Sequence, residues 1–75
     1  MRRMVVEDLV YLLTKHDEEE KRLIARVRSQ GWLAESDWTR HDELERHILF
    51  AMAAASNDEV NTAIDEYDAM EATLI

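Results

Sequence analysis

Residues 6–31, VEDLVYLLTKHDEEEKRLIARVRSQG, decide how the chain folds. Within them, alternating steps of three and four positions select one face, which is the spacing of an amphipathic helix. Gly31 is expected to end this helix, because glycine readily adopts the left-handed conformation found just past helix ends. The face consists of Val6, Leu9, Leu13, His16, Glu20, Leu23, Val27 and Gln30.

The middle of this helix is polar, at His16 and Glu20, and two interpretations fit. One is a single helix of about 27 residues, roughly 40 Å long at 1.5 Å per residue. The other is a break near Thr14 to Asp17, where the sequence resembles a helix-capping pattern. We favour the continuous helix, because this stretch has no glycine or proline and residues 15–22 are mostly good helix formers.

The sequence after Gly31 predicts a second helix over Asp37 to Ala55, with Ser36 as its N-cap. From Ile48 onward this helix is apolar on every side, and such a helix is expected to be buried on every side. In so short a chain, that burial needs two neighbouring helices, or one neighbour and a second subunit. Its predicted face consists of Trp38, His41, Leu44, Ile48, Met52 and Ala55.

A third helix is predicted to start at Ser56, which together with Glu59 has the form of a capping box, and to run to about Leu74. The very short connection before it predicts that the second and third helices form an antiparallel hairpin. We therefore expect an all-α three-helix bundle, one domain over residues 1–75, that forms a homodimer. The expected inner stripe is Val60, Ala63, Ile64, Tyr67, Met70 and Leu74.

Composition excludes several function classes. With no cysteine and one glycine among 75 residues, the chain has no thiolate nucleophile, cysteine zinc site or glycine-rich phosphate loop. We therefore expect no enzymatic activity. The net charge of −8 argues against direct nucleic-acid binding, which needs clustered basic residues. The longest apolar stretch, residues 48–55, is too short to cross a membrane, and the N-terminus lacks a signal-peptide pattern, so we expect a cytoplasmic protein.

Three histidine–glutamate pairs are spaced four residues apart, so each pair shares a helical surface. They are His16 with Glu20, His41 with Glu45, and Glu43 with His47. The Glu-x-x-His spacing of ferritin-like metal sites is absent. We interpret the pairs as ordinary surface contacts and predict neither a metal site nor a cofactor. A small metal-binding helical protein is kept as the second alternative.

The last 19 residues contain six acidic side chains and no basic one. They either form a solvated face or imitate a row of phosphates that a basic, nucleic-acid-binding protein recognises. The function hypothesis is a non-catalytic interaction module, in its sharper form a phage or defence-related inhibitor that mimics nucleic acid. The first alternative is a structural oligomerisation module. The candidate partner-binding residues are Asp58, Glu59, Asp65, Glu66, Asp68 and Glu71.

Overall fold

The computed structural model describes residues 1–73, and these form three α-helices. The helices are α1 (Arg3–Gln30), α2 (Glu35–Ala54) and α3 (Asn57–Thr73). Helix α1 is continuous through residues 14–17, which confirms the unbroken interpretation. Gly31 follows it with a φ of 82° and donates its N–H to the carbonyl of Val27 at 2.8 Å. The prediction of an all-helical chain with a glycine stop is confirmed.

The start of α2 differs from the prediction. Ala34, not Ser36, is the N-cap residue, and Ser36 lies inside the first turn without capping the helix. Asp37, the third residue of the helix, makes the reciprocal contact of a capping box, because its carboxylate accepts the N–H of Ala34 at 3.1 Å. The same carboxylate lies 3.2 Å from both Arg22 and Arg26 of α1. The ion pairs with Arg22 and Arg26 therefore join the first turn of α2 to α1.

The start of α3 agrees with the predicted capping box. Ser56 Oγ accepts the N–H of Glu59 at 3.2 Å, and Glu59 accepts the N–H of Ser56 at 2.8 Å. Of the predicted inner stripe, Ala63 is fully buried, whereas Ile64 and Met70 are partly exposed. Leu74 of that stripe lies outside the described residues, as does Ile75.

Both shorter helices pack on α1, with few contacts between them, so the predicted α2–α3 hairpin is not confirmed. Helix α2 runs antiparallel to α1, because Asp37 meets Arg22 while the Ala54 carbonyl meets Arg2. Helix α3 runs parallel to α1, because Glu59 meets Arg2 while Tyr67 and Glu71 meet Asp17. The Cα positions extend over 44 × 29 × 14 Å. The shortest of these dimensions, 14 Å, is about the thickness of one layer of helices.

The core is small and lies where all three helices meet. Val6, Leu9 and Ala63 are at most 1% exposed there. By contrast, Leu49 and Phe50 of α2 are 65% and 76% exposed, so the segment predicted to be buried on every side is not buried within one chain. The reason is that α2 has one helical neighbour, α1, along most of its length. None of the described helices combines the length and apolar character needed to cross a membrane.

Candidate functional site

Two of the three histidine–glutamate pairs converge between α1 and α2. The histidine–carboxylate cluster consists of His16 and Glu20 from α1 with His41 and Glu45 from α2. Antiparallel packing places the two pairs opposite each other, and the imidazole centroids lie 5.3 Å apart. Both histidines are half-buried, whereas the two glutamates reach solvent with about half of their side chains.

The donor atoms of this cluster lie close together. Nε2 of His16 is 3.4 Å from Oε1 of Glu20, and Nε2 of His41 is 3.8 Å from that same oxygen. Nδ1 of His41 lies 3.1 Å from Oε1 of Glu45, whose second oxygen is 3.7 Å from Nε2 of His16. One donor atom from each of His16, Glu20 and His41 fits within 4.8 Å of the others, and Asp42 forms a second such group with His41 and Glu45.

The third pair does not join the cluster. His47 is exposed and lies on the opposite side of the α1–α2 pair, in a depression that also includes Tyr11, Lys15 and Arg40. Because all three pairs have the same spacing, the spacing alone does not indicate that His47 lies apart from the other two histidines. What separates them in the sequence is a short repeat, His-Asp-Glu-x-Glu, which occurs at residues 16–20 and again at residues 41–45.

Two apolar grooves flank the cluster on one side of the α1–α2 pair, here called the α1–α2 face. The larger groove, of about 400 Å3, has Glu20 and His41 at its edge. The smaller, of about 260 Å3, has His16 and Glu45 at its edge. Arg28 also lines the larger groove, and the other lining side chains of both grooves are apolar: Leu23, Ile24, Val27, Leu33 and Trp38 in the larger, and Leu13, Ile48, Leu49 and Met52 in the smaller.

The other side of the α1–α2 pair is polar and neutralises its own charges. Arg22 lies 2.9 Å from Glu19 and 3.2 Å from Asp37, and Arg40 lies 3.3 Å from Glu19. The Arg22 guanidinium lowers the pKa of Glu19. Burial alone would raise the pKa of Asp37, but the Ala34 N–H and Arg22 together lower it. The two sides of the helix pair therefore differ sharply in character.

The six candidate acidic residues fall into two groups. Glu59 is only 2% exposed and lies 3.0 Å from Arg2, so it stabilises the fold and is not part of an acidic surface. Glu66 is paired with Arg3 at 2.6 Å. Glu71 is half-buried near Tyr67, whose pKa is raised to about 12 by burial and by nearby carboxylates.

The remaining three, Asp58, Asp65 and Asp68, are exposed. None of them has an ion pair within 4 Å among residues 1–73. The phosphate-mimicking surface stays a prediction for these three residues.

Comparison of the chain with protein-family models, curated proteins and solved structures finds no match.

Proposed function

We propose that the protein is a non-catalytic interaction module that self-associates through the α1–α2 face. The supporting observation is the contrast between the two sides of the helix pair. One side is occupied by internal ion pairs, whereas the other has apolar grooves at both ends. Exposed apolar grooves that are rimmed by polar residues often mark an interface.

The larger groove lies beyond the part of α1 that the described residues of α3 accompany. Helix α3 has 17 described residues against 28 in α1, and it starts beside the first turn of α1. At 1.5 Å per residue, it ends roughly 15 Å before α1 does. Ile24, Val27 and Trp38 lie in this uncovered part and remain 51%, 47% and 54% exposed.

A second copy of this chain is the occupant that fits the face best. Two α1–α2 pairs facing each other across a two-fold axis would form a four-helix bundle with the grooves inside. The cluster lies between the two grooves, so the axis would pass near it and bring the imidazoles of one copy towards the carboxylates of the other. These donors and acceptors complement each other, whereas the exposed acidic surface of α3, with Asp58, Asp65 and Asp68, would repel its copy.

Light scattering on the full chain tests this proposal. We expect a mass of twice 8.8 kDa at micromolar concentration. Ile24→Glu places a charge in the larger groove and should give a helical monomer. Phe50→Glu is the matched control, because Phe50 is 76% exposed and does not line either groove.

A native mass of 8.8 kDa would refute the proposal. So would a Phe50→Glu variant that dissociates as readily as Ile24→Glu. Circular dichroism establishes that each variant keeps its helices, so a change in mass reports association alone.

A further inference from the structure

We propose that His16, Glu20 and His41 bind one divalent transition-metal ion of the zinc type, and that Glu45 positions His41. The site is formed within one chain, so the proposal goes beyond self-association and does not depend on it. It also reverses the expectation, from sequence, that these pairs are ordinary surface contacts.

The separations between donor atoms suit such an ion. Zinc bonds to imidazole nitrogen and carboxylate oxygen measure about 2.0–2.2 Å, which places neighbouring donors of a tetrahedral site roughly 3.3–3.6 Å apart. Oε1 of Glu20 lies 3.4 Å from Nε2 of His16 and 3.8 Å from Nε2 of His41. One ligand atom from each of the three residues lies within 4.8 Å of the others, so side-chain rotations of about 1 Å would bring three donors into one coordination sphere.

The backbone holds these ligands in place. His16 and Glu20 are one turn apart on α1, and His41 belongs to the helix packed antiparallel against it. The ion pair between Arg22 and Asp37 ties the two helices together about one turn away from His41. Leu12, Leu23 and Ile48 are buried along the same contact, so little ordering is left for the metal to impose.

Glu45 supplies the positioning contact. Metal-bound histidines usually donate their second ring N–H to a carboxylate, which fixes the tautomer and the ring orientation. Nδ1 of His41 lies 3.1 Å from Oε1 of Glu45, a separation that suits this interaction. With the proton held on Nδ1, Nε2 is the nitrogen free to bind a metal, and it lies 3.8 Å from Oε1 of Glu20.

The chemistry of the ligands determines the class of ion. Two imidazoles and a carboxylate suit Zn2+ or Fe2+, whereas Ca2+ and Mg2+ prefer sites made entirely of oxygen. Three protein ligands also leave a coordination position for water, as in open zinc sites.

Titration of the purified full chain with Zn2+ by calorimetry, and with Co2+ by visible absorption, tests the proposal. We expect one ion per chain, no saturable binding of Mg2+, and a higher melting temperature with Zn2+, because the ion binds the folded state. Light scattering in the same samples reports self-association separately, so either proposal can fail without the other.

Variants locate the site. Glu20→Gln and His41→Ala should abolish one-to-one binding, and His47→Ala, the matched control on the same helix, should leave it unchanged. Glu45→Gln should weaken affinity about 10–100-fold. It should also alter the Co2+ absorption bands while the metal-free melting temperature stays the same, an effect that a merely structural role would not produce.

The proposal is overturned if native protein shows no saturable Zn2+ binding, or if His47→Ala reduces binding as much as His41→Ala does. Helicity is measured for each variant. If His41→Ala does not fold, Glu20→Gln decides the matter, because half of the Glu20 side chain is exposed and its replacement spares the core.

Discussion

The backbone N–H of Arg2 donates a hydrogen bond to Oε2 of Glu59 at 2.8 Å, across 57 positions of the sequence. The Arg2 guanidinium contacts both oxygens of the same carboxylate, at 3.0 and 3.2 Å. Glu59 also accepts the N–H of Ser56, its partner in the capping box. One buried carboxylate thus satisfies the backbone at the start of α1 and at the start of α3, and it joins the two helices.

Replacing this carboxylate should destabilise the protein. Glu59→Gln removes the negative charge from a side chain that is 2% exposed and leaves the Arg2 contacts weakened. We expect a clear fall in melting temperature by circular dichroism. Asp65→Asn removes the same charge from an exposed position of α3 and should leave the melting temperature nearly unchanged, so equal effects of the two variants would contradict this role for Glu59.

Acid should destabilise the protein through the same group. Hydrogen bonds from Arg2 and from the Ser56 backbone lower the pKa of Glu59 from 4.5 to about 2. A lowered folded-state pKa contributes stability that is complete above the unfolded value and is lost as the pH falls through the folded value. Urea unfolding should therefore show stability falling between about pH 4.5 and about pH 2, with a shallower fall in Glu59→Gln.

Replacing Ser56, which precedes α3, and replacing Ser36, which lies in the first turn of α2, should change the stability by different amounts. Ser56 caps α3 through its hydroxyl, so Ser56→Ala should cost about 1 kcal/mol of unfolding free energy. Ser36 lies within the first turn of α2 and does not cap it, so Ser36→Ala should be within about 0.5 kcal/mol of neutral. Chemical denaturation of both variants measures the difference. A larger loss for Ser36→Ala would mean that α2 begins at Ser36 after all.

The small core should make single truncations severe. Leu9 is 1% exposed at the point where the three helices meet, and a buried leucine-to-alanine change costs about 2–5 kcal/mol. That is a large share of the stability of a domain of this size, so Leu9→Ala should be partly unfolded near room temperature. Met4→Ala, at a position 73% exposed on the same helix, serves as the control. It should unfold cooperatively, at a melting temperature close to that of the native protein.

The exposed acidic residues of α3 should matter for partners and not for folding. Asp65 and Asp68 are three positions apart on one exposed surface, so Asp65→Asn with Asp68→Asn relieves a weak repulsion and should be near neutral in thermal unfolding. Affinity capture from the native host, at low and high salt, tests whether a basic partner uses this surface. The hypothesis is supported if the native chain captures a partner less well at high salt and the double variant captures none. Equal capture by both chains would refute it.

Local features of the sequence determined much of the fold. Gly31 ends α1, Ser56 starts α3, and the spacing of apolar residues predicts helices over nearly the observed ranges. These signals need only neighbours within a turn or two, where helix geometry fixes every distance. The same reasoning places His16 beside Glu20 and His41 beside Glu45.

Only the tertiary structure decided which of these local pairs meet. Sequence spacing treats Glu43 with His47 like the other two pairs, and it marks Glu59 as a capping residue without indicating its contact with Arg2. The packing of α2 against α1 brings His41 to His16 and leaves His47 on the far side, while the packing of α3 buries Glu59 against Arg2. The rotation of each helix about its axis, and the choice of α1 as shared partner for both shorter helices, depend on contacts between residues tens of positions apart, whose separations no local spacing fixes.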